Sequence, residues 1–175
     1  RPERAFRDAL AIATFHRVLP EPARETYAFP GLAVTPDELD FCLGLFSRHF
    51  TPGSLREVHA RWAAGERPAR PLLAVTFDDG QRDNFVYARA GLDRHGVRAR
   101  FFVTTGARDD GRPLWHGRVG FAAAALGARD PERVRALLGA RPLEVALERA
   151  KRLPTPAREA WVERVERAAG EVARP

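Results

Sequence analysis

The sequence of 175 residues contains no methionine, a single cysteine and a single lysine. Cys42 cannot close a disulfide within the chain. Its setting in Asp40-Phe41-Cys42-Leu43, part of an amphipathic pattern, makes it a small buried hydrophobe rather than a metal thiolate. With no methionine at position 1, the sequence is expected to start after a removed initiator or to be a piece of something longer, so both ends are treated as cut. No charged leader followed by an apolar run is visible, and a cut N-terminus leaves the compartment open. Long apolar runs are also missing. Stretches such as Leu72 to Val75 and Phe121 to Leu126 fall far short of the roughly 20 residues that span a bilayer, so no transmembrane segment is expected.

Charge is plentiful: 29 basic residues face 23 acids, and because Lys151 is the only lysine, the pI near 10.7 rests on guanidinium groups. The arginines are interspersed with acids along the whole chain instead of being clustered with aromatics between them, which argues against a nucleic-acid partner. A content of 45% hydrophobic and 30% charged residues fits a globular chain with a real core and argues against disorder.

Leu10 to Val18 is apolar and partly β-branched and runs into Leu19-Pro20-Glu21-Pro22, which predicts a strand followed by a loop to about Val34. Thr35-Pro36-Asp37-Glu38 supplies an N-cap, a proline at N1 and an acid at N3, and Leu39, Cys42, Leu43, Phe46 and Phe50 follow at helical spacing. Ser54-Leu55-Arg56-Glu57 repeats the capping pattern and opens a second helix ending near Gly65. Leu72 to Phe77 is continuously apolar, the pattern of a strand covered on both faces. Beyond Gly80, Asp83 or a neighbour caps a helix to about His95, with Phe85, Val86, Ala88, Leu92 and His95 on its buried side and Gly96 as its stop. Val97 to Thr104 is then a third strand, with Phe101-Phe102 in the core. Strand, helix and strand with short links make a βαβ unit with parallel strands. From Trp115 to Ala173 only helical segments are expected, with starts at Asp130-Pro131-Glu132 and Thr155-Pro156 and breaks at Gly127, Gly139 and Pro154. The organisation is thus an α/β part over 1–114 and a helical insertion or subdomain over 115–175. Arg129, Arg133, Arg135 and Arg141 suggest a solvated face of the latter.

Thr76-Phe77-Asp78-Asp79-Gly80 ends the buried strand at the end where open sheets and barrels carry their sites. Two adjacent carboxylates cannot both stay ionised in a dry pocket without a nearby cation, so the pair invites a metal. Only a turn at Gly80 would let Asp78 and Asp79 face one site. The alternative is an acidic turn in which one Asp caps the following helix.

The chain also resembles the polysaccharide deacetylases of the NodB-homology type (carbohydrate esterase family 4). The resembling stretches are Thr14-Phe15-His16-Arg17-Val18-Leu19-Pro20, then Leu73 to Gly80 with Asp83-Asn84, then His95-Gly96-Val97 with Ala99 and Phe101 to Gly106, and Leu114-Trp115. Their order looks like the front half of that family. The resemblance implies a partial irregular (β/α) barrel and hydrolytic removal of N-acetyl groups from an amino-sugar polysaccharide or oligosaccharide. It implies Asp78 as general base and Asp79 as ligand to a divalent metal, usually zinc, and a cell-envelope or secreted setting, with a cytoplasmic one still open. A metal acidifies its bound water and polarises the acetamide carbonyl, while a carboxylate takes the proton of the attacking water. The family completes its metal site with a later His-x-x-x-His pair, and no such pair exists among His16, His49, His59, His95 and His116. Gln81 stands where the family prefers an aromatic, Arg100 where it prefers a small hydroxyl residue, and His116-Gly117 follow Trp115 where Trp-Asp is usual. The remainder of such a domain is absent from these residues.

His16 is expected either to line the same mouth as Asp78, as a substrate-binding residue, or to be a hydrogen-bonded structural histidine. His49, His59 and His95 are expected to pack or cap helices. Trp115 is either the border of a sugar site or a core anchor. Two other functions stay in view. One is a non-catalytic or degenerate remnant of a deacetylase. The other is an aspartate-nucleophile phosphatase, which needs Asp-x-Asp where Phe77-Asp78-Asp79 has another register.

Overall fold

A computed structural model describes residues 6, 8–105, 113–139 and 141–170. The chain divides into two compact units, one made of 1–26 and 30–105 and the other of 27–29 and 106–175.

The first unit is built on a parallel sheet. Strand β1 (Ala11–Phe15) is followed by β2 (Arg17–Val18), helix α1 (Glu21–Glu25), a 3₁₀ turn (Pro30–Leu32) and β3 (Ala33–Val34). Helix α2 (Pro36–His49), β4 (Thr51–Pro52), α3 (Leu55–Ala63) and β5 (Leu72–Phe77) come next, and a π-helical turn (Asn84–Ala88) leads through α4 (Arg89–His95) to β6 (Ala99–Phe101). The expected strand from Leu10 to Val18 is therefore two pieces. Ala11 to Phe15 pairs with Leu73 to Phe77, whereas Arg17 and Val18 pair with Ala33 and Val34, a long-range partner that local composition does not reveal. The loop expected up to Val34 likewise holds a short helix and that β3 partner.

Both expected capping boxes form. Thr35 accepts from the Glu38 N–H while the Glu38 carboxylate accepts from the Thr35 N–H, and Ser54 and Glu57 do the same for α3. The Thr35 N–H holds the Glu38 carboxyl below the usual carboxylate range, helped by Arg24.

Strand β5 is the centre of the unit, and all six of its residues are buried. It pairs in parallel with β1 along one edge and with both β4 and β6 along the other. The hydrogen bonds show this by parity. The carbonyls of Pro71, Leu73 and Phe77 accept from Thr51, Gly53 and Phe102, while the Asp78 N–H on the opposite edge donates to Phe15. Side chains of β5 likewise divide between the two faces of the sheet. Leu73, Val75 and Phe77 pack with Leu39, Leu43, Ala88 and Leu92, under α2 and α4. Leu72 and Ala74 pack with Val58, Leu55 and Trp62 of α3. Helices thus cover both faces. The β4-to-β5 and β5-to-β6 crossovers step in opposite directions across the sheet and lie on opposite faces, so they share one hand, as twisted parallel units require. Among the described residues the sheet is open. The α/β class and the parallel βαβ unit stand, and no closed barrel is present in these residues.

Two expectations about burial fail for physical reasons. The π-helical turn changes the angular step per residue, so Asn84, Ala88 and Leu92 face the core while Phe85 and Val86 are 66% and 50% exposed. Helix α4 then ends as expected at left-handed Gly96. Strand β6 is shorter than the expected Val97 to Thr104, and with no further strand beside it among the described residues, Phe101 and Phe102 are half exposed rather than core. Phe101 still stacks on Phe77 at 4.9 Å, and Phe77 on Phe15 at 5.4 Å, forming an aromatic ladder across three paired strands.

The second unit is helical: α5 (Trp115–Gly127), α6 (Pro131–Leu137), α7 (Leu143–Lys151) and α8 (Thr155–Ala169). Asp130 caps α6 by accepting from the Arg133 N–H. Helices α5 and α8 form its core around Val119, Ala122, Val162 and Val165. Gly120 is required there, because a Cβ would lie 2.7 Å from the Phe29 ring. Trp115 takes the anchoring alternative: it packs on this core with Arg158 over its ring at 5.1 Å. Arg118 is buried and closed by two carboxylates, Glu166 at 2.6 and 3.0 Å and Glu159 at 2.8 Å. Hydrogen bonding to Glu166 is the main cause that raises its affinity for the proton above the ordinary guanidinium value. Arg129, Arg133, Arg135 and Arg141 are exposed, although Arg129 also donates to the Ala169 carbonyl. The part of the expected helical region beyond Gly170 lies outside the described residues, as does Gly106.

Candidate functional site

The parallel register stacks the first unit's side chains in rungs. On the face away from α2 and α4, Thr14, Thr76 and Arg100 share one rung, and the Thr76 hydroxyl donates to the Thr14 hydroxyl at 3.0 Å. Continuing the period of two, the next rung at the carboxyl end is His16, Asp78 and Phe102. The Asp78 N–H is held by the Phe15 carbonyl at 2.9 Å, and the His16 Nε2 lies 3.9 Å from the Asp78 carboxylate. That separation is too long for a direct hydrogen bond and suits an ion pair on imidazole protonation, or a shared water or substrate group. Both side chains are about one third exposed.

Asp79 has φ 70° and is the sole non-glycine residue in the left-handed region among the described residues. Gly80 follows at φ 67°. A Cβ on Gly80 would lie 3.0 Å from the Val103 Cγ1 and 3.1 Å from its Cα, so glycine is needed both for the turn and for the close approach of the strand after β6. The turn that was expected at Gly80 alone therefore begins at Asp79, at a cost of about 1 kcal/mol for an L-residue. Strain of this kind collects at functional turns.

Asp83 does not cap the following helix. It is buried, accepting from the Val18 N–H at 2.7 Å and from the Arg17 Nε at 3.0 Å. A buried carboxylate gains more from a guanidinium and a buried N–H than from a wet helix end. The bond ties the segment after β1 to the loop after β5 and so holds His16 beside Asp78. Sequence reading missed this role of Asp83, as well as the Thr14–Thr76–Arg100 rung. The rung could have been found by pairing the two apolar strands in parallel register.

The remaining histidines are elsewhere. His95 bonds Asp40 at 3.0 Å, His59 lies by Trp62, His49 ends α2, and His116 sits in the second unit beside Phe29 and Trp115. Among the described residues no group of three or more His, Cys, Asp or Glu side chains could hold a metal ion. A catalytic zinc takes three protein ligands, so these residues do not fit one.

No protein-family model and no curated protein matches the chain. Three chains of solved structures are similar to this one. The Streptococcus pyogenes deacetylase PplD, solved with acetate, matches with a TM-score of 0.50 and 23% identity over 63% of this chain and 50% of that one. Over that share, the fold is that of a polysaccharide deacetylase. IcaB from Ammonifex degensii matches with a TM-score of 0.46 and 22% identity, over 66% of this chain and 48% of that one. This chain spans about half the length of either structure. No helix among the described residues is long and apolar enough to cross a membrane.

Proposed function

We propose that the first unit is the front portion of a polysaccharide N-deacetylase, a hydrolase acting on the acetamide of an amino-sugar polymer or oligomer. The observation that carries this is the rung at the carboxyl end of β5, where Asp78 and His16 face the same side of a parallel sheet whose fold matches a deacetylase. Asp78 is the general base: its carboxylate is about one third exposed, its backbone is fixed through its own N–H, and it is placed to accept a proton from water attacking the acetamide carbon. His16 hydrogen-bonds the substrate or shares the proton taken by Asp78. An irregular barrel, if further strands close it, would take this face as its interior, with α3 filling the amino-terminal half.

The described residues do not complete a zinc site. Asp79 is proposed as one ligand of a divalent ion whose other ligands lie outside the described residues. The phosphatase alternative finds no support at position 80, a glycine in a left-handed turn where an aspartate would be needed. Zinc uptake and acetate release from chitotetraose test the proposal. Residues 1–175 alone are expected to take up zinc weakly and release no acetate. In a longer form carrying a His-x-x-x-His pair, Asp79→Ala should lose the metal, whereas Asp78→Asn should keep it and lose turnover. Metal loss in Asp78→Asn with retention in Asp79→Ala would reverse the two roles. Stoichiometric zinc and acetate release from residues 1–175 would contradict the incomplete site.

A further inference from the structure

The rung below the carboxylate carries a cation that none of the described residues neutralises. Arg100 pairs in register with Thr76, and since its neighbour Phe101 stacks on Phe77 beneath α2 and α4, alternation sends Arg100 to the opposite face, the one carrying Thr14, Thr76 and Asp78. Arg94 and Arg98, just before it in the chain, are engaged by Asp40 and Glu57 at 2.5 Å each. Arg100 is exposed and makes no hydrogen bond or ion pair among the described residues. Adjacent strands lie about 4.8 Å apart and a residue rises about 3.3 Å, so Asp78 is roughly 8 Å away on the diagonal, a span that the arginine stem can cross. A guanidinium here places a fork of donors beside the proposed base, in a position to meet an anionic oxygen pair on a bound sugar.

We infer that Arg100 makes this site select amino sugars that carry an anionic substituent, a carboxylate or a phosphate, next to the acetamide. This rests on the deacetylase function proposed above. The probes are diacetylchitobiose, the same disaccharide bearing a 3-O-lactyl carboxylate, and its 6-phosphate, titrated into the wild-type chain, Arg100→Gln and Arg100→Lys. At low salt the wild type should prefer at least one anionic probe by about three- to fivefold, the range of an exposed charge pair. That preference should fall to about one in Arg100→Gln and at about 0.5 M salt, and persist in Arg100→Lys. The lactyl and phosphate arms tell which anion the site accepts. Equal affinity for neutral and anionic probes in the wild type, or a preference that survives Arg100→Gln, would overturn the selection by Arg100 while leaving the deacetylase proposal standing. Binding of none of the three would likewise overturn the selection by Arg100, while the zinc and acetate assays of the longer form decide the deacetylase proposal separately.

Discussion

Both units close a buried charge, and only the sheet unit also leaves charges half-open. In the helical unit the buried guanidinium of Arg118 is met by Glu159 and Glu166. In the sheet unit Asp83 is closed in the same manner by Arg17 and the Val18 N–H. Five residues before it, Asp78 has only a histidine at 3.9 Å, and Asp79 sits in a left-handed turn. Closed charges hold a fold together. Charges left half-open at the carboxyl end of a parallel sheet, on a backbone conformation that costs energy, do not improve folding and are better explained by binding and chemistry.

That contrast can be broken by substitution. Asp83→Ala should destabilise the sheet unit by about 3 kcal/mol, because it takes away the carboxylate that the buried Val18 N–H and the Arg17 Nε donate to, whereas Asp78→Ala should change stability by no more than about 0.5 kcal/mol. Denaturant unfolding of the two variants checks this, and equal losses would erase the distinction between them. In the helical unit Arg118→Ala should cost about 2 kcal/mol, less than a fully buried pair because both glutamates keep contact with water. Thermal unfolding followed by the fluorescence of Trp115 and Trp161 reads it, and no change would mean that the cluster is ornamental. Asp79→Gly should instead stabilise the chain, by about 1 kcal/mol, by relieving the left-handed residue. A loss of stability there would show that the Asp79 side chain is itself a structural prop.

What could be read from the sequence follows the range of the interactions involved. The capping boxes at Thr35 and Ser54 and the stop at Gly96 are local and were legible, as was β5, whose unbroken apolar run needs cover on both faces. Asp83 was misplaced because its partners lie 65 and 66 residues away. Phe85 and Val86 were misplaced because helical periodicity assumes an α-helical step that the π-helical turn does not keep. Phe101 and Phe102 were placed in the core on hydrophobicity alone, while burial depends on what lies beyond the edge of the sheet. Asp78 and Asp79 stood out as a motif, but the neighbours of that motif, Thr14, His16 and Arg100, become visible only once β1, β5 and β6 are set in register.

The most direct test of the difference between the units is hydrogen–deuterium exchange of the chain with and without saturating chitotetraose. Slowed exchange is expected in peptides covering 12–18, 76–84 and 99–103, with no change across 115–170. Protection confined to the helical unit would contradict the placement of the site on the open end of β5.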